Sequence, residues 1–272
     1  MSDAIPNIDG PKLPPFRGAI ENIEFLKVLG PDESGWSSED IPHSRVFQVR
    51  IDGNQYSLKV FNFFSIDDLR PWVPGGEDML TDDLVRYHLD PFYAECRAFG
   101  LLLEKKEDNA LAVRCHGYTF LPQTIEHQIR KQFGVDDWNR QPEDKGIPLR
   151  AIVKDYIRFK TVCGRKKLSI MRSNLKKLND MGIFNMDIRE DNYRGGRLFD
   201  FSISHTPPHV WLWPDLRSRK QIFRDCRYDL AAFDEMAKNI EKQSPSTQAR
   251  WLKDRLRPRL QKKHYAGISK RR

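Results

Sequence analysis

Between Gly182 and Ser202 the chain reads GIFNMDIREDNYRGGRLFDFS, with Asp187 and Asn192 five residues apart, a turn-forming RGGR, and Asp200 in a second apolar run. A carboxylate, an amide and another carboxylate around one hairpin suit phosphoryl transfer, which asks a protein for positioning and charge compensation more than for covalent help. Asp187 would orient the attacking group or accept its proton. Magnesium takes oxygen ligands, commonly one or two side chains completed by phosphate oxygens and water. Asn192 and Asp200 would supply such ligands from the two sides of the hairpin. Taken alone, Asp187 to Asn192 equally describes a capped turn, because Asp and Asn bond their own backbone at such places. The elements around it have to decide.

Those elements can be read from the pattern. IEFLKVLG (Ile23 to Gly30) is strand-like and runs into the loop PDESGWSSEDIPHS. RVFQVRI and YSLKVFNFF read as strands joined by DGN, a strong hairpin signal. A polar insert, SIDDLRPWVPGGEDMLTDD, leads to a helical pattern from about Val85 through Pro91 to Glu104. ALAVRCHGYTFL is strand-like, the polar stretch from Pro122 to Gly146 has room for a short helix, and LRAIVKDYI (Leu149 to Ile157) predicts a buried strand. KKLSIMRSNLKKLNDMG predicts a helix with Ile170, Leu175 and Leu178 among its apolar positions and Gly182 as its stop. RYDLAAFDEMAKNIEK predicts another, through Leu230, Phe233, Met236 and Ala237, before a break at Ser244 to Ser246. No internal repeat is visible. Strands, a helix, more strands and then mostly helices predict an α+β body in two lobes.

With those elements in place, FNMDIREDN resembles the catalytic loop of the protein-kinase superfamily, HRDxxxxN, and LFDFS resembles its metal-binding DFG. The resemblance runs from about residue 23 to 240 and implies a two-lobed kinase-like fold, with a β-rich N-lobe (21–150) and a reduced helical C-lobe (151–243). It implies ATP and magnesium as cofactors. Lys59 in YSLKVF matches the strand lysine that contacts the α/β-phosphates, and Glu95 in FYAECRAF matches its helical glutamate partner. LRAIVKDYI would enter the hinge and put the adenine near Lys154 to Ile157. Asp187 would be the base, Arg189 stands where many kinases keep a phosphate-binding lysine, and Asn192 and Asp200 would hold the metal. Asp229 in RYDLAAF matches the helix aspartate that braces the catalytic loop. More narrowly, DIREDNY followed by LFDFS and SHTPP looks like the fungal kinase-like inner-kinetochore family, the Fta-two subunit of the Sim-four complex. That implies kinetochore or chromatin protein partners and a nuclear, intracellular location.

The chain departs from the kinase pattern in several places. Only Gly30 and Gly35 occur where a glycine-rich phosphate loop is expected, Asn185 and Met186 replace the His and Arg of HRD, and Ser202 replaces the glycine of DFG. Methionine cannot pair with a phosphorylated activation loop. The segment from Asp200 to Asp229 has no APE motif, and little chain follows it to build a peptide-docking floor. Three functions stay open on this reading: an atypical ATP-dependent kinase, an inactive pseudokinase scaffold of a kinetochore assembly, and a small-molecule phosphotransferase.

Composition bounds the rest. The 272 residues are 39% hydrophobic and carry a formal net charge of +8. Residues 250–272 hold ten Lys or Arg against Asp254 alone, +9, so the total of +8 leaves the other 249 residues at −1. A basic tail (244–272) on a nearly neutral body suits nuclear import, or contact with nucleic acid or acidic proteins, and argues against a dedicated DNA-binding body. MSDAIPNIDGPKLPP lacks the basic and apolar regions of a secretory signal and reads, to residue 20, as an open leader. No apolar run is long enough to span a bilayer, so no membrane contact is expected. Cys96, Cys115, Cys163 and Cys226 form no CxxC pair, which fits a reducing compartment. His116, His205 and His209 have no partner at a telling spacing and read as structural or surface, and Trp211 and Trp213 read as packing residues.

Overall fold

Apolar alternation builds one antiparallel sheet from five segments. In the computed structural model, which describes residues 9–29, 43–158 and 165–243, these are β1 (Glu24–Leu29), β2 (Ser44–Ile51), β3 (Asn54–Phe61), β4 (Cys115–Leu121) and β5 (Leu149–Asp155). They pair in the order β1-β2-β3-β5-β4. The DGN signal closes the β2–β3 hairpin with Asp52 at φ +50° and Gly53 at φ +78°, the left-handed pair that a tight two-residue turn needs. Gly30, Gly35, Cys163 and the basic tail lie outside the described residues.

Seven α-helices complete the described chain: α1 (Ile66–Leu69), α2 (Asp82–Leu89), α3 (Pro91–Glu104), α4 (Gln123–Phe133), α5 (Arg165–Asp180), α6 (Arg219–Cys226) and α7 (Tyr228–Gln243). The single helical pattern read from Val85 to Glu104 is two helices. Asp90 separates them as the cap of α3, its carboxylate accepting the Phe92 N–H at 2.9 Å. Pro91 takes the first helical position, where a missing N–H leaves no bond unmade.

Because side chains alternate across a sheet, β3 and β5 divide their residues between two cores. Leu58, Val60, Ala151 and Val153 pack with Phe47, Val49 and with Ile125 and Ile129 of α4. Phe61 and Ile152 face the opposite way, into a core shared with Phe92 and Phe99 of α3, Leu168, Met171, Leu175 and Leu178 of α5, and Phe233 of α7. Lys59 lies opposite Ile152 and Lys154 lies opposite Ser57, two register pairs along, so both lysines share that second face. On α5 the inward stripe runs through Met171, and Ile170 is 54% exposed, contrary to the expected pattern. A residue one position from Met171 is turned about 100° away from it on a helix.

Two further parts differ from their reading in the sequence. The leader is not open throughout: from residue 9 it is described, and Leu13 is buried. Phe16 N–H donates to Tyr118 O at 2.7 Å and Tyr118 N–H to Pro14 O at 3.1 Å, so this strap lies along β4. Glycines make room for it. A Cβ on Gly100 would stand 2.7 Å from the Lys12 carbonyl carbon, and one on Gly117 2.6 Å from Phe16 N. The polar insert, in turn, builds a third core. Leu69, Val73, Leu80 and Val85 bury with Val210, and Trp211, Trp213 and Leu216 pack against them. The tryptophans are packing residues, as expected.

Among the described residues no helix is long and apolar enough to cross a membrane. Cys96, Cys115 and Cys226 are free thiols.

Candidate functional site

The face of β3 and β5 that carries Lys59 and Lys154 looks onto α3, and a chain of ion pairs fills the space between them. Lys59 Nζ lies 2.7 Å from Glu95 Oε2 and 2.7 Å from Asp200 Oδ1. Lys154 Nζ lies 2.6 Å from the other glutamate oxygen, Oε1, and donates to Phe199 O at 2.7 Å. Glu95 is fully buried and both lysine side chains nearly so, while Asp200 is a quarter exposed and forms the open end. The same sheet face is tied to the start of α3 by Arg150, which donates to Asp90 Oδ2 at 2.6 Å. Burial opposes the charge on Lys59, but Asp200 and Glu95 outweigh it and its pKa is raised. Burial likewise would raise Asp200, yet Lys59, Lys154 and the Ser202 N–H hold its carboxyl well below the usual range.

The loop before the hairpin meets this chain from the other side. Asn185 Nδ2 donates to Asp200 O at 2.6 Å, and Asn185 Oδ1 accepts the Asp187 N–H at 3.1 Å. Asp229, near the start of α7, accepts the Asn185 N–H at 2.7 Å and the Met186 N–H at 2.8 Å. These bonds hold Met186 at φ +67°, a conformation rare for a side chain of its size. Burial raises the Asp229 carboxyl to about 6 despite the two bonds. Asn192 donates from its amide to Asp187 O and Oδ2, both at 2.8 Å, and Arg189 lies 3.2 Å from Asp187 Oδ2. The hairpin itself is β6 (Tyr193–Arg194) and β7 (Arg197–Leu198), turned by Gly195 and Gly196 at φ +59° and +85°.

Lys59, Glu95, Lys154 and Asp200 therefore form one contact chain, and Asp187, Asn192 and Arg189 form a second cluster joined to it through Asn185. Ile157 stands apart from both. It faces the hairpin turn, where a Cβ on Gly195 would meet its Cγ2 at 3.7 Å. The ammonium of Lys154 points into the ion chain, so this residue reaches the site through its charge. Ser202 has no left-handed backbone, so replacing glycine here introduces no strain.

Over residues 1–205 the chain matches the family described as Kinetochore Sim4 complex subunit FTA2. The chain belongs to that family. No curated protein matches it. The matched span includes every residue of both clusters, while Asp229, which braces the loop, lies beyond it.

The donor set fits magnesium only in part. Asp200 and Asn192 offer oxygen, but Asp200 Oδ1 already accepts from Lys59 and from the Ser202 N–H at 2.9 Å. Among the described residues no group of three or more His, Cys, Asp or Glu is placed to hold a metal. A metal here needs phosphate oxygens to complete its shell. Beside the Asp187 loop runs a groove of about 470 Å³, lined by Ile188, Glu190, Tyr228, Met236 and Ile240 among others.

Sequence reasoning missed three features. The pairing of Lys154 with Glu95, at a residue expected to flank an adenine, had a signal, since Arg150 and Lys154 share parity within an otherwise apolar run. His116 meets Asp155 Oδ1 at 2.6 Å, a pairing 39 residues long that no spacing announces. His88, His205 and His209 cluster in space: His205 stacks on His209 with centroids 4.4 Å apart, and His88 lies 5.8 Å from His209.

Proposed function

We propose that this kinetochore-family subunit has a two-lobed protein-kinase-like fold whose interlobe pocket binds ATP, and that it serves the kinetochore as a nucleotide-binding scaffold with protein partners in the nucleus. One observation carries the reading: Lys59, on the third strand, bridges Glu95 of a helix and Asp200 behind the hairpin, at 2.7 Å to each. An ion pair between the third-strand lysine and a helical glutamate is the arrangement that kinases use to position the phosphates. In this reading Lys59 contacts the α/β-phosphates, the backbone from Lys154 to Ile157 flanks the adenine, and Asn192 and Asp200 face any metal that arrives with the nucleotide. Such a metal neutralises phosphate charge. Family membership supports the kinetochore assignment.

A second reading, phosphotransferase activity, is favoured by Asp187, whose carboxylate is oriented by Asn192 at 2.8 Å beside Arg189. Asp187 would then accept the proton of the attacking hydroxyl.

Thermal unfolding of the full chain with ATP and magnesium tests the first reading. Wild type is expected to gain melting temperature, and Lys59→Met is not. No gain in wild type sinks nucleotide binding and leaves a scaffold without ligand. Radiolabel transfer that vanishes in Asp187→Asn would establish catalysis; equal signal in both proteins would remove Asp187 from it.

A further inference from the structure

Lys154 gives the pocket a charge balance that the phosphate-binding lysine alone would not. Its ammonium is buried, 2.6 Å from Glu95 Oε1 and 2.7 Å from Phe199 O, the carbonyl just before Asp200. Each oxygen of Glu95 thus has its own ammonium, and Asp200 already has Lys59. Lys59 and Lys154 against Glu95 and Asp200 sum to zero, and at the mouth Arg189 offsets Asp187 in the same way, 3.2 Å away. Without Lys154 and Arg189, one lysine would stand among three carboxylates. A divalent cation would then be needed before a polyphosphate could approach, because each uncompensated carboxylate repels it in a partly desolvated cleft. The register makes the substitution possible: Lys154 shares a sheet face with Lys59 two pairs along, and both ammoniums reach the single carboxylate of Glu95.

We infer that Lys154 supplies the positive charge that magnesium would otherwise bring, so that the pocket takes a nucleoside triphosphate without metal. This rests on the nucleotide pocket proposed above. It also gives a physical reason for a scaffold to bind ATP without turning it over, since a metal entering at Asp200 has to displace Lys59.

The test titrates a fluorescent ATP analogue into the full-length protein, first in EDTA and then in magnesium chloride, for wild type, Lys154→Gln and Lys154→Arg. Wild type is expected to hold its affinity within about threefold between the two conditions, while Lys154→Gln loses about tenfold or more in EDTA and recovers in magnesium. Lys154→Arg is expected to follow wild type, because it keeps the charge. A wild type that binds only with magnesium overturns the inference, and so does a Lys154→Gln protein that binds in EDTA as tightly as wild type. If Lys154→Gln does not fold, the wild-type ratio between EDTA and magnesium decides alone. No binding by wild type in either condition removes the pocket itself, a separate failure.

Discussion

Asp200 and His205 are five residues apart, yet their surroundings bury polar groups by opposite means. On one side of Phe201, Lys154, Glu95 and Lys59 are buried as charges and Asp200 closes the chain at its open end, each against an opposite charge at 2.6–2.7 Å. On the other side, His88 and His209 are buried and His205 half-buried as neutral rings: His205 stacks on His209 and Trp211, and His88 meets His209 and Trp213 edge-on. Burial drives His88 down to about 3 and His205 to about 4, with the nearby Arg97 guanidinium pushing the same way. Phe201 lies between the two regions, packed edge-on against Phe99 of α3 with centroids 5.1 Å apart. A matched set of charges tolerates acid until its carboxylates titrate; a set of neutral imidazoles fails as soon as protons favour the unfolded chain. One region can therefore hold a site that must stay charged, and the other can only fasten the chain that follows it.

Removing one member of the matched set is expected to have the largest effect. Glu95→Ala leaves two buried ammoniums facing each other and should cost about 3–5 kcal/mol in urea unfolding. A loss below about 1 kcal/mol would show that water reaches the lysines and that the chain is not a buried unit.

Acid should next separate the two regions. The unfolded histidines protonate near pH 6.5, while His205 and His88 in the fold resist to about 4 and about 3, so the unfolded state binds more protons in between. Stability is then constant above about pH 6.5 and falls below it, by roughly 2 kcal/mol per histidine on reaching pH 5. Asp200, held low by its ammoniums, works in a lower window: its contribution is present above about pH 4 and is lost as the pH falls beneath the ordinary carboxylate range. Hydrogen exchange at pH 5 should find residues 204–213 opening while the amides around Asp200 stay protected. Equal opening of both stretches would erase the contrast.

A smaller loss is expected where a single carboxylate braces the loop. Asp229→Ala strips the Asn185 and Met186 N–H groups of their acceptor and should cost about 1–3 kcal/mol by urea unfolding. It should also let Met186 leave its left-handed conformation, visible as a shift of the Asp187 amide resonance. An unchanged resonance would mean that the hairpin, not α7, holds the loop.

The surface gives the floor of the scale. Arg172 and Asp234 pair at 2.7 Å with both side chains nearly half exposed. Arg172→Ala should change stability by about 0.5 kcal/mol or less. A loss of several kcal/mol there would show that distance alone, without burial, sets the strength of these pairs.

Much of the architecture was legible. The DGN turn, the glycine pair after Arg194 and the strand patterns at Leu58 and Val153 announce themselves because turn geometry and alternation are local. Lys59, Glu95 and Asp200 were also legible as a set, and they do meet. Ile170 misled because one helical residue can be apolar and still point outward. The strap at residues 12–16 misled because its prolines suggest open chain, while the room for it comes from Gly100 and Gly117, far along the sequence. The insert gave no sign of a core, since its apolar partners, Val210 to Leu216, lie well beyond it in the chain.

What the sequence by itself determined were residue types at local spacings: an acid and an amide before a glycine turn, a lysine in a strand, a glutamate in a helix. Those follow from the few conformations that neighbouring residues allow one another. Tertiary structure alone decided charge. Whether Lys154 lines a hinge or neutralises Glu95, and whether three histidines sit in water or against each other, depends on which strand lies beside which and what is excluded from between them. Electrostatic strength is set by distance and by the loss of water, and neither exists until distant segments have packed.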